Sequence, residues 1–96
     1  MAAEPIPEYV ITSHAAFELT RRGISRETVH SIMIGPEQRL PVRPGRAVLQ
    51  SQIVRGAERK AVLVRVFVDI DRTPAEVVTV YLTNKIAKYW DFSHEG

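Results

Sequence analysis

Cysteine is absent from the 96 residues of the chain. This absence excludes a disulfide framework and any metal site built on thiolates. Apolar runs are also short, well below the ~20 residues that a membrane-spanning helix needs. The N-terminal stretch MAAEPIPEY holds two acidic residues and two prolines and has no apolar core, unlike a secretory signal. We therefore expect a soluble cytoplasmic protein without a membrane partner.

The motifs of several enzyme classes are missing as well. The sequence contains no His-Glu-x-x-His motif, no two histidines four residues apart, no glycine-rich phosphate loop and no Gly-x-Ser-x-Gly elbow. We therefore expect neither a metal ion nor another cofactor.

The composition that is present is that of one folded domain. Hydrophobic residues make up 45% of the chain and charged residues 25%, as in ordinary globular domains, and the length suits one core rather than two. We predict a flexible tail at residues 1–9, a single domain at residues 10–92 and a short tail at residues 93–96. The net charge of +2 permits a nucleic-acid partner without requiring one.

Two helices are predicted in the first third of the chain. The first covers His14–Arg22, after an N-cap at Ser13, and ends at Gly23, a residue that favours the left-handed conformation at a helix C-terminus. The second starts after an N-cap at Ser25 and stops at a Gly-Pro pair. Its apolar residues recur at helical spacing and are Val29, Ile32 and Met33.

The rest of the domain is typical of β-structure. Ala61–Ile70 is the most apolar strand and is predicted to lie in the middle of a sheet, between Gly45–Val54 and Val77–Leu82. Tyr9–Ile11 and the proline-interrupted Glu37–Val42 are candidates for edge strands. The prediction is an α+β fold, in which two N-terminal helices pack on a three- to four-stranded curved antiparallel sheet with a short C-terminal helix.

Alternation along the strands predicts two different sheet faces. An apolar face lies against the helices and comprises Leu49, Ile53, Val62, Val64, Val66, Val68, Ile70, Val78, Val80 and Leu82. The opposite face, called the second face below, comprises Gln50, Gln52, Leu63, Arg65, Phe67, Val77, Thr79 and Tyr81. We expect the second face to be open to solvent.

Arg65 is the unusual residue of the second face, because an arginine inside an apolar strand is costly unless it is solvated or paired. Two interpretations stay open. Arg65 forms a structural crosslink to Asp69 or Glu76, or it opens onto a polar concavity that accepts a phosphate. Gln50 and Gln52 are either the solvated side of an edge strand or contacts for a ligand.

Cationic and aromatic residues cluster at the end of the domain. Lys85, Lys88 and Tyr89 share one side of the last helical turn, and Tyr81 precedes them on the last strand. The alternatives are a solvated helix face for the lysines and a packed ring for Tyr81.

Two further candidates lie elsewhere in the chain. His14 is in the first turn of a helix, where the helix dipole favours a neutral imidazole that can act as a base. The alternative for His14 is a surface or capping histidine. Arg46 belongs to a group of loop arginines that either form an electrostatic rim or serve only solubility.

Two segments resemble a family of small uncharacterised bacterial domains. They are SHAAFELTRRGISRETV in the helical part and VVTVYLTNKIAKYW at the end. That family is linked to the RelE/ParE-like and BrnT-like toxins of type II toxin–antitoxin systems. The resemblance implies N-terminal helices packed on a curved antiparallel sheet, whose exposed face and C-terminal segment hold and cleave RNA.

The resemblance also implies roles for particular residues. The positions that match groups kept by such toxins are Arg65, Tyr81, Lys85, Lys88 and Tyr89. The positions that match the opening motif of the family are His14 and either Arg21 or Arg22.

The resulting hypothesis is a toxin-like RNA-binding protein that acts as a metal-independent endoribonuclease and has an antitoxin protein as its partner. His14 or Lys85 takes the proton of the 2′-OH, and Arg65 stabilises the phosphorane. Tyr81 or Tyr89 stacks on a base or serves as the acid. Contacts to nucleic acid are assigned to Arg21, Arg22, Arg46, Gln50, Gln52, Lys88 and Tyr89.

Two alternatives use the same surfaces differently. One is a non-catalytic module of the same fold that binds a protein or a nucleic acid. The other is a homo-oligomer that forms through an exposed strand edge along residues 45–54.

Overall fold

A computed structural model describes residues 3–95, with side chains described as far as Ser93. The predicted tails at residues 1–9 and 93–96 therefore lie partly outside the described residues. The elements in chain order are β1 (Tyr9–Ile11), α1 (Ser13–Arg22), α2 (Arg26–Ile34), β2 (Gln38–Arg43), β3 (Arg46–Arg55), β4 (Lys60–Asp69), β5 (Ala75–Thr83), α3 (Ile86–Tyr89) and a 3-10 turn (Phe92–Glu95). The predicted α+β class is confirmed.

The strands form one open mixed sheet in the order β1-β5-β4-β3-β2. β2, β3, β4 and β5 pair antiparallel with their neighbours, whereas β1 pairs parallel with β5. The four antiparallel strands agree with the predicted three or four, and the sheet differs from the prediction by the parallel strand β1, which makes it mixed and five-stranded. Pro41 is tolerated in β2 because β2 is an outer strand, and the pairing of β2 with β3 is irregular just after this proline.

The two helices begin and end nearly as predicted. The N-cap of α1 is Thr12 rather than Ser13: the Thr12 hydroxyl accepts a hydrogen bond from the Ala15 N–H at 3.2 Å. Thr12 also donates its own N–H to Val77 O (3.0 Å), so the chain remains extended there and turns helical one residue earlier than expected. The prediction that α1 ends at Gly23 in the left-handed conformation is confirmed, with φ of 67°.

The N-cap of α2 is Ser25, as predicted. Its hydroxyl accepts a hydrogen bond from the Thr28 N–H at 3.0 Å. The predicted stripe of Val29, Ile32 and Met33 is buried against the sheet.

The main core lies between these helices and the apolar face of the sheet. Its buried members are Ala15, Leu19, Ile24, Val29, Ile32, Met33, Ala47, Leu49, Val64, Val66, Val68, Ala75, Val77 and Val80. Ile6, from the segment before β1, packs against this core and donates its N–H to Met33 O at 2.7 Å.

A β-bulge in β5 changes one predicted face. Phe67 lies opposite Thr79, but Val68 lies opposite Val77, so Val78 is an extra residue without a partner of its own. Val77 is therefore fully buried in the core, while Val78 is only half-buried. The predicted assignment of Val78 to the apolar face and Val77 to the second face is wrong, because a bulge shifts the alternation by one residue.

The apolar face also ends earlier than predicted. Ile70 follows the last residue of β4 and is 39% exposed. Gly45 sits in the neighbouring β2–β3 turn with φ of 84°, and a Cβ at this position would lie 2.7 Å from Asp71 Oδ2. Glycine therefore allows the two turns to touch.

The second face is not open over its whole width. Val48, Gln50 and Leu63 lie on this face by register and are fully buried. Gln50 is covered by the C-terminal segment, defined here as residues 84–93, whose backbone is hydrogen-bonded to Gln38 and Gln50. The prediction of a sheet covered on one side only is therefore wrong at Val48, Gln50 and Leu63.

The exposed edge proposed for residues 45–54 is wrong for its first half. β2 pairs with residues 46–50, and beyond it Glu37 accepts a hydrogen bond from the Gln52 N–H at 2.5 Å. The outer strand on this side of the sheet is β2.

Candidate functional site

Three neighbouring strands place Gln50, Arg65 and Tyr81 in one row. The antiparallel register puts Gln50 of β3 opposite Arg65 of β4, and Arg65 opposite Tyr81 of β5. Because residues in such a row point to the same face, all three side chains meet on the second face.

Arg65 is hydrogen-bonded to both of its neighbours in the row. Its Nε donates to Gln50 Oε1 and its Nη1 donates to the Tyr81 hydroxyl, each at 2.8 Å. The predicted alternative of a crosslink to Asp69 or Glu76 is wrong, since both carboxylates form their ion pairs with other arginines. The half-buried guanidinium is thus held by an amide and a phenol rather than by a counter-ion.

Three aromatic rings surround this guanidinium. The distances from Arg65 Cζ to the ring centroids are 4.5 Å for Tyr89, 5.2 Å for Phe67 and 5.8 Å for Tyr81. Phe67 and Tyr81 lie nearly parallel with centroids 5.9 Å apart, and Tyr89 meets Tyr81 edge-on at 6.4 Å. We call Arg65, Phe67, Tyr81 and Tyr89 the ring cluster. All four residues are half-buried, so the cluster is packed yet still reaches the surface.

Two buried amides attach the C-terminal segment beside the ring cluster. Gln38 donates from Nε2 to Asp91 O at 2.7 Å and accepts from the Asp91 N–H at 3.0 Å, as a strand partner would. Gln50 donates from Nε2 to Gln38 Oε1 (2.8 Å) and to Tyr89 O (3.1 Å). Gln50 is 0% exposed, so its predicted contact with nucleic acid is wrong: its hydrogen bonds are used within the protein.

One lysine of the predicted site lies at the border of the ring cluster. Lys88 is exposed, with Nζ 5.3 Å from the centroid of Tyr89. Lys85 is exposed at the start of α3, where its N–H bonds to Thr83 Oγ1 at 3.0 Å. Gln52 is also exposed, on the far part of β3. The structure therefore brings Arg65, Tyr81, Lys88 and Tyr89 together and keeps Lys85 near them in sequence.

Arg46 lies on the second face but at its other end. Its Nε is 2.6 Å from Asp69 Oδ1, and the hydrogen bond from this guanidinium lowers the pKa of Asp69, although burial opposes the shift. Arg46 is therefore committed to an ion pair and stands apart from the ring cluster.

The remaining predicted residues lie on α1, across the sheet from the ring cluster. His14 is 68% exposed, and its Nε2 is 3.7 Å from Oε1 of Glu18. Arg22 is 3.5 Å from the other oxygen of Glu18, and Arg21 is exposed in the same last turn. The buried Glu18 also accepts a hydrogen bond from the Val80 N–H at 3.3 Å. This bond satisfies a backbone donor of β5 beyond the point where β1 ends. The structure thus does not bring His14 together with Arg65.

A separate groove of about 760 Å³ lies between residues 3–4 and the β2–β3 turn. Three guanidinium groups line it, but Arg39 is 3.7 Å from Glu4 and Arg46 is bound to Asp69. These ion pairs weaken its attraction for an anion.

Two residues that hold the site were not singled out from the sequence. Gln38 was placed in an uncertain edge strand, and Phe67 was assigned to the second face without a role. Phe67 could have been noticed by its position two residues after Arg65, since residues i and i+2 of a strand share a face. No sequence pattern near Gln38 indicates its role, because its partner Asp91 is 53 residues away in the chain.

Two features are absent from the described residues. No group of three or more potential metal ligands occurs among them. None of the helices they form is long and apolar enough to cross a membrane.

Fold and site together define an α+β protein whose mixed sheet carries helices on one face and the ring cluster on the other. Comparisons with models of known families, with curated proteins and with solved structures find no match to this chain.

Proposed function

We propose that the protein binds single-stranded RNA on the uncovered part of the second face. The observation that carries the proposal is the ring cluster, in which three aromatic rings and one guanidinium reach the surface of a sheet. Aromatic side chains on an exposed sheet are a recurrent platform for unpaired bases, because every base has a flat face that can stack on them.

The two kinds of side chain in and around the cluster serve different parts of the ligand. The nearly parallel rings of Phe67 and Tyr81 offer a surface to bases. The exposed ammonium group of Lys88 lies 5.3 Å from the ring centroid of Tyr89, and Lys85 is exposed at the start of the same short helix. Both lysines can contact the sugar–phosphate backbone of a stacked strand. Cations beside rings are the combination that single-stranded nucleic acid requires.

The resemblance noted in the sequence supports the same conclusion. Two N-terminal helices packed on a largely antiparallel sheet are the arrangement expected of a RelE- or BrnT-like toxin. In those toxins the exposed sheet face and the C-terminal segment hold RNA, and here both contribute to the ring cluster. We accordingly place the protein in a toxin–antitoxin pair, with an antitoxin protein as its partner.

The geometry favours binding over cleavage. Within the described residues, no carboxylate or imidazole is hydrogen-bonded or ion-paired to Arg65 or Tyr81, and these two bond to each other. His14, one of the two predicted bases, lies across the sheet. A metal-independent ribonuclease would have to use Lys85 as its base, so cleavage is the second hypothesis and RNA binding the first.

Fluorescence anisotropy with a labelled single-stranded RNA tests the binding proposal. Replacing Tyr81 by alanine removes one stacking surface, and we expect binding to weaken about 5- to 140-fold, the equivalent of roughly 1–3 kcal/mol per base. Phe17→Ala is the matched control, because Phe17 is a 65% exposed ring on α1, away from the second face. Equal losses in the two variants, or no binding by the wild type, would refute the proposal.

Salt dependence tests the role of the lysines. We expect Lys88→Ala to reduce the slope of log affinity against log salt concentration by about 0.7, the value for one phosphate contact on a single strand. Lys60→Ala is the control, because Lys60 lies in the β3–β4 hairpin with its Nζ 3.2 Å from Glu58. An unchanged slope for Lys88→Ala would remove that lysine from the interface.

Cleavage and toxicity need a different assay. RNA integrity and growth are followed after induction of the wild type and of a variant with Arg65→Ala and Lys85→Ala, with and without co-expression of the protein encoded next to it. RNA loss that the double variant abolishes would establish the ribonuclease hypothesis. Identical behaviour of the two proteins would refute the ribonuclease hypothesis and leave RNA binding as the proposed function.

A further inference from the structure

The orientation of the Arg65 guanidinium is set by the protein itself. Gln50 and Tyr81 take one N–H from Nε and one from Nη1, and Tyr89 lies over the group at 4.5 Å. Arginine has five N–H donors in one plane, so three donors are left, two of them on Nη2. These three are held in place before any ligand arrives.

The two donors on Nη2 are also accessible. No described side-chain nitrogen or oxygen is both buried and without a hydrogen-bond partner. Since Nη2 of Arg65 makes no hydrogen bond within the described part of the chain, it must be in contact with solvent. A ligand on the second face can therefore reach it.

We infer that Arg65 recognises guanine in the bound RNA, an inference that rests on the proposed function. A base stacked on Phe67 and Tyr81 lies beside the guanidinium, because Arg65 Cζ is only 5.2 and 5.8 Å from those ring centroids. Guanine presents two adjacent acceptors, O6 and N7, which match two parallel N–H donors. In Arg65 this pair is the remaining N–H of Nη1 and one N–H of Nη2, because Nε is bonded to Gln50. Adenine presents N7 beside an amino group, which opposes one of the donors.

A phosphate is the competing acceptor for the same donors, and it predicts a different behaviour. Phosphate contacts carry no sequence information, so an Arg65 that binds phosphate strengthens all RNAs alike. The half-buried position of Arg65 among the rings favours a base edge, since the exposed Lys85 and Lys88 are the cations placed for the backbone.

The experiment measures the affinity of the wild-type protein for four labelled pentanucleotides of uridine that differ only in the central base. The central bases are guanine, hypoxanthine, 7-deazaguanine and adenine. Hypoxanthine keeps both O6 and N7, whereas 7-deazaguanine loses N7 and keeps the stacking surface. We expect guanine and hypoxanthine to bind alike, and the other two about 5- to 140-fold more weakly, the range for one bidentate contact.

Two variants connect the preference to Arg65. Arg65→Lys keeps the charge but loses the planar donors, and Tyr81→Phe keeps the ring but releases Nη1. We expect both to reduce the ratio of guanine to adenine affinity towards one while still binding RNA, with thermal unfolding as the check that each variant is folded.

Each outcome decides one of the two claims. Equal affinity for all four RNAs, or a preference that survives Arg65→Lys in folded protein, overturns the guanine inference and leaves RNA binding intact. Absence of binding to every RNA overturns the proposed function itself.

Discussion

Replacing Gln38 by alanine tests how the C-terminal segment is held on the sheet. Gln38 is 2% exposed and forms three hydrogen bonds, two with the backbone of Asp91 and one with Gln50. Its side-chain amide pairs with the backbone N–H and C=O of Asp91, as a neighbouring strand would, and so holds the C-terminal segment against the second face. Without it, Gln50 still donates a hydrogen bond to Tyr89 O.

The expected loss follows from these bonds. A buried hydrogen bond contributes about 1 kcal/mol net, so the variant should lose about 3 kcal/mol of unfolding free energy. For a domain of this size, 1 kcal/mol changes Tm by roughly 4–8 °C, which predicts a decrease of about 12–24 °C. Amide hydrogen exchange at Asp91 should accelerate more than exchange in the β3–β4 ladder, because the segment opens locally.

Gln52→Ala is the matched control. Gln52 is the same residue type, two positions beyond Gln50 on β3, but its side chain is exposed and only its backbone N–H is engaged. We expect its stability to stay within about 0.5 kcal/mol of the wild type. Similar losses in the two variants, or unchanged exchange at Asp91 in Gln38→Ala, would show that the amide does not hold the segment.

Three further predictions concern local features. In urea unfolding, Thr12→Ala should lower the free energy of unfolding by about 1 kcal/mol and Ser13→Ala should leave it almost unchanged, because Thr12 is the N-cap. A larger loss in Ser13→Ala would show that Ser13 is the N-cap. Gly45→Ala should destabilise the protein more than Gly56→Ala. Both glycines have φ near 80°, but only at Gly45 would the added Cβ collide with a carboxylate, that of Asp71. Equal urea midpoints for the two variants would contradict this. The arginine partner of Asp69 depresses its folded pKa, so this stabilisation is complete above the ordinary carboxyl pKa of about 4 and is lost as pH falls through the folded value. In Asp69→Asn, Tm should therefore decrease less than in the wild type as the pH is lowered towards about 2. An identical dependence of Tm on pH in the two proteins would show that the Arg46–Asp69 pair does not contribute to acid destabilisation.

The candidate site was predicted only in part. The sequence indicated Arg65, Tyr81, Lys88 and Tyr89 correctly as neighbours, because alternation along strands and helical spacing are local rules. It did not reveal that Gln50 is buried, since burial there requires a segment some 40 residues later in the chain to cross the sheet.

The helices were predictable because their signals lie within a few residues. The cap at Ser25 and the left-handed Gly23 are properties of single residues and their immediate neighbours. Apart from Ile70, the predicted faces of β3 and β4 are correct for the same reason, because successive side chains of a strand alternate without help from the rest of the fold.

Only the tertiary structure decided the bulge at Val78, the parallel strand β1 and the partners of Arg65. Each depends on which backbone lies alongside, and that choice is made by the packing of the whole chain rather than by local preference. Sequence determined which residues are apolar, cationic or aromatic and which of them share a face. Long-range pairing determined which part of the second face stays exposed, because covering it requires contacts between residues that are far apart in the chain.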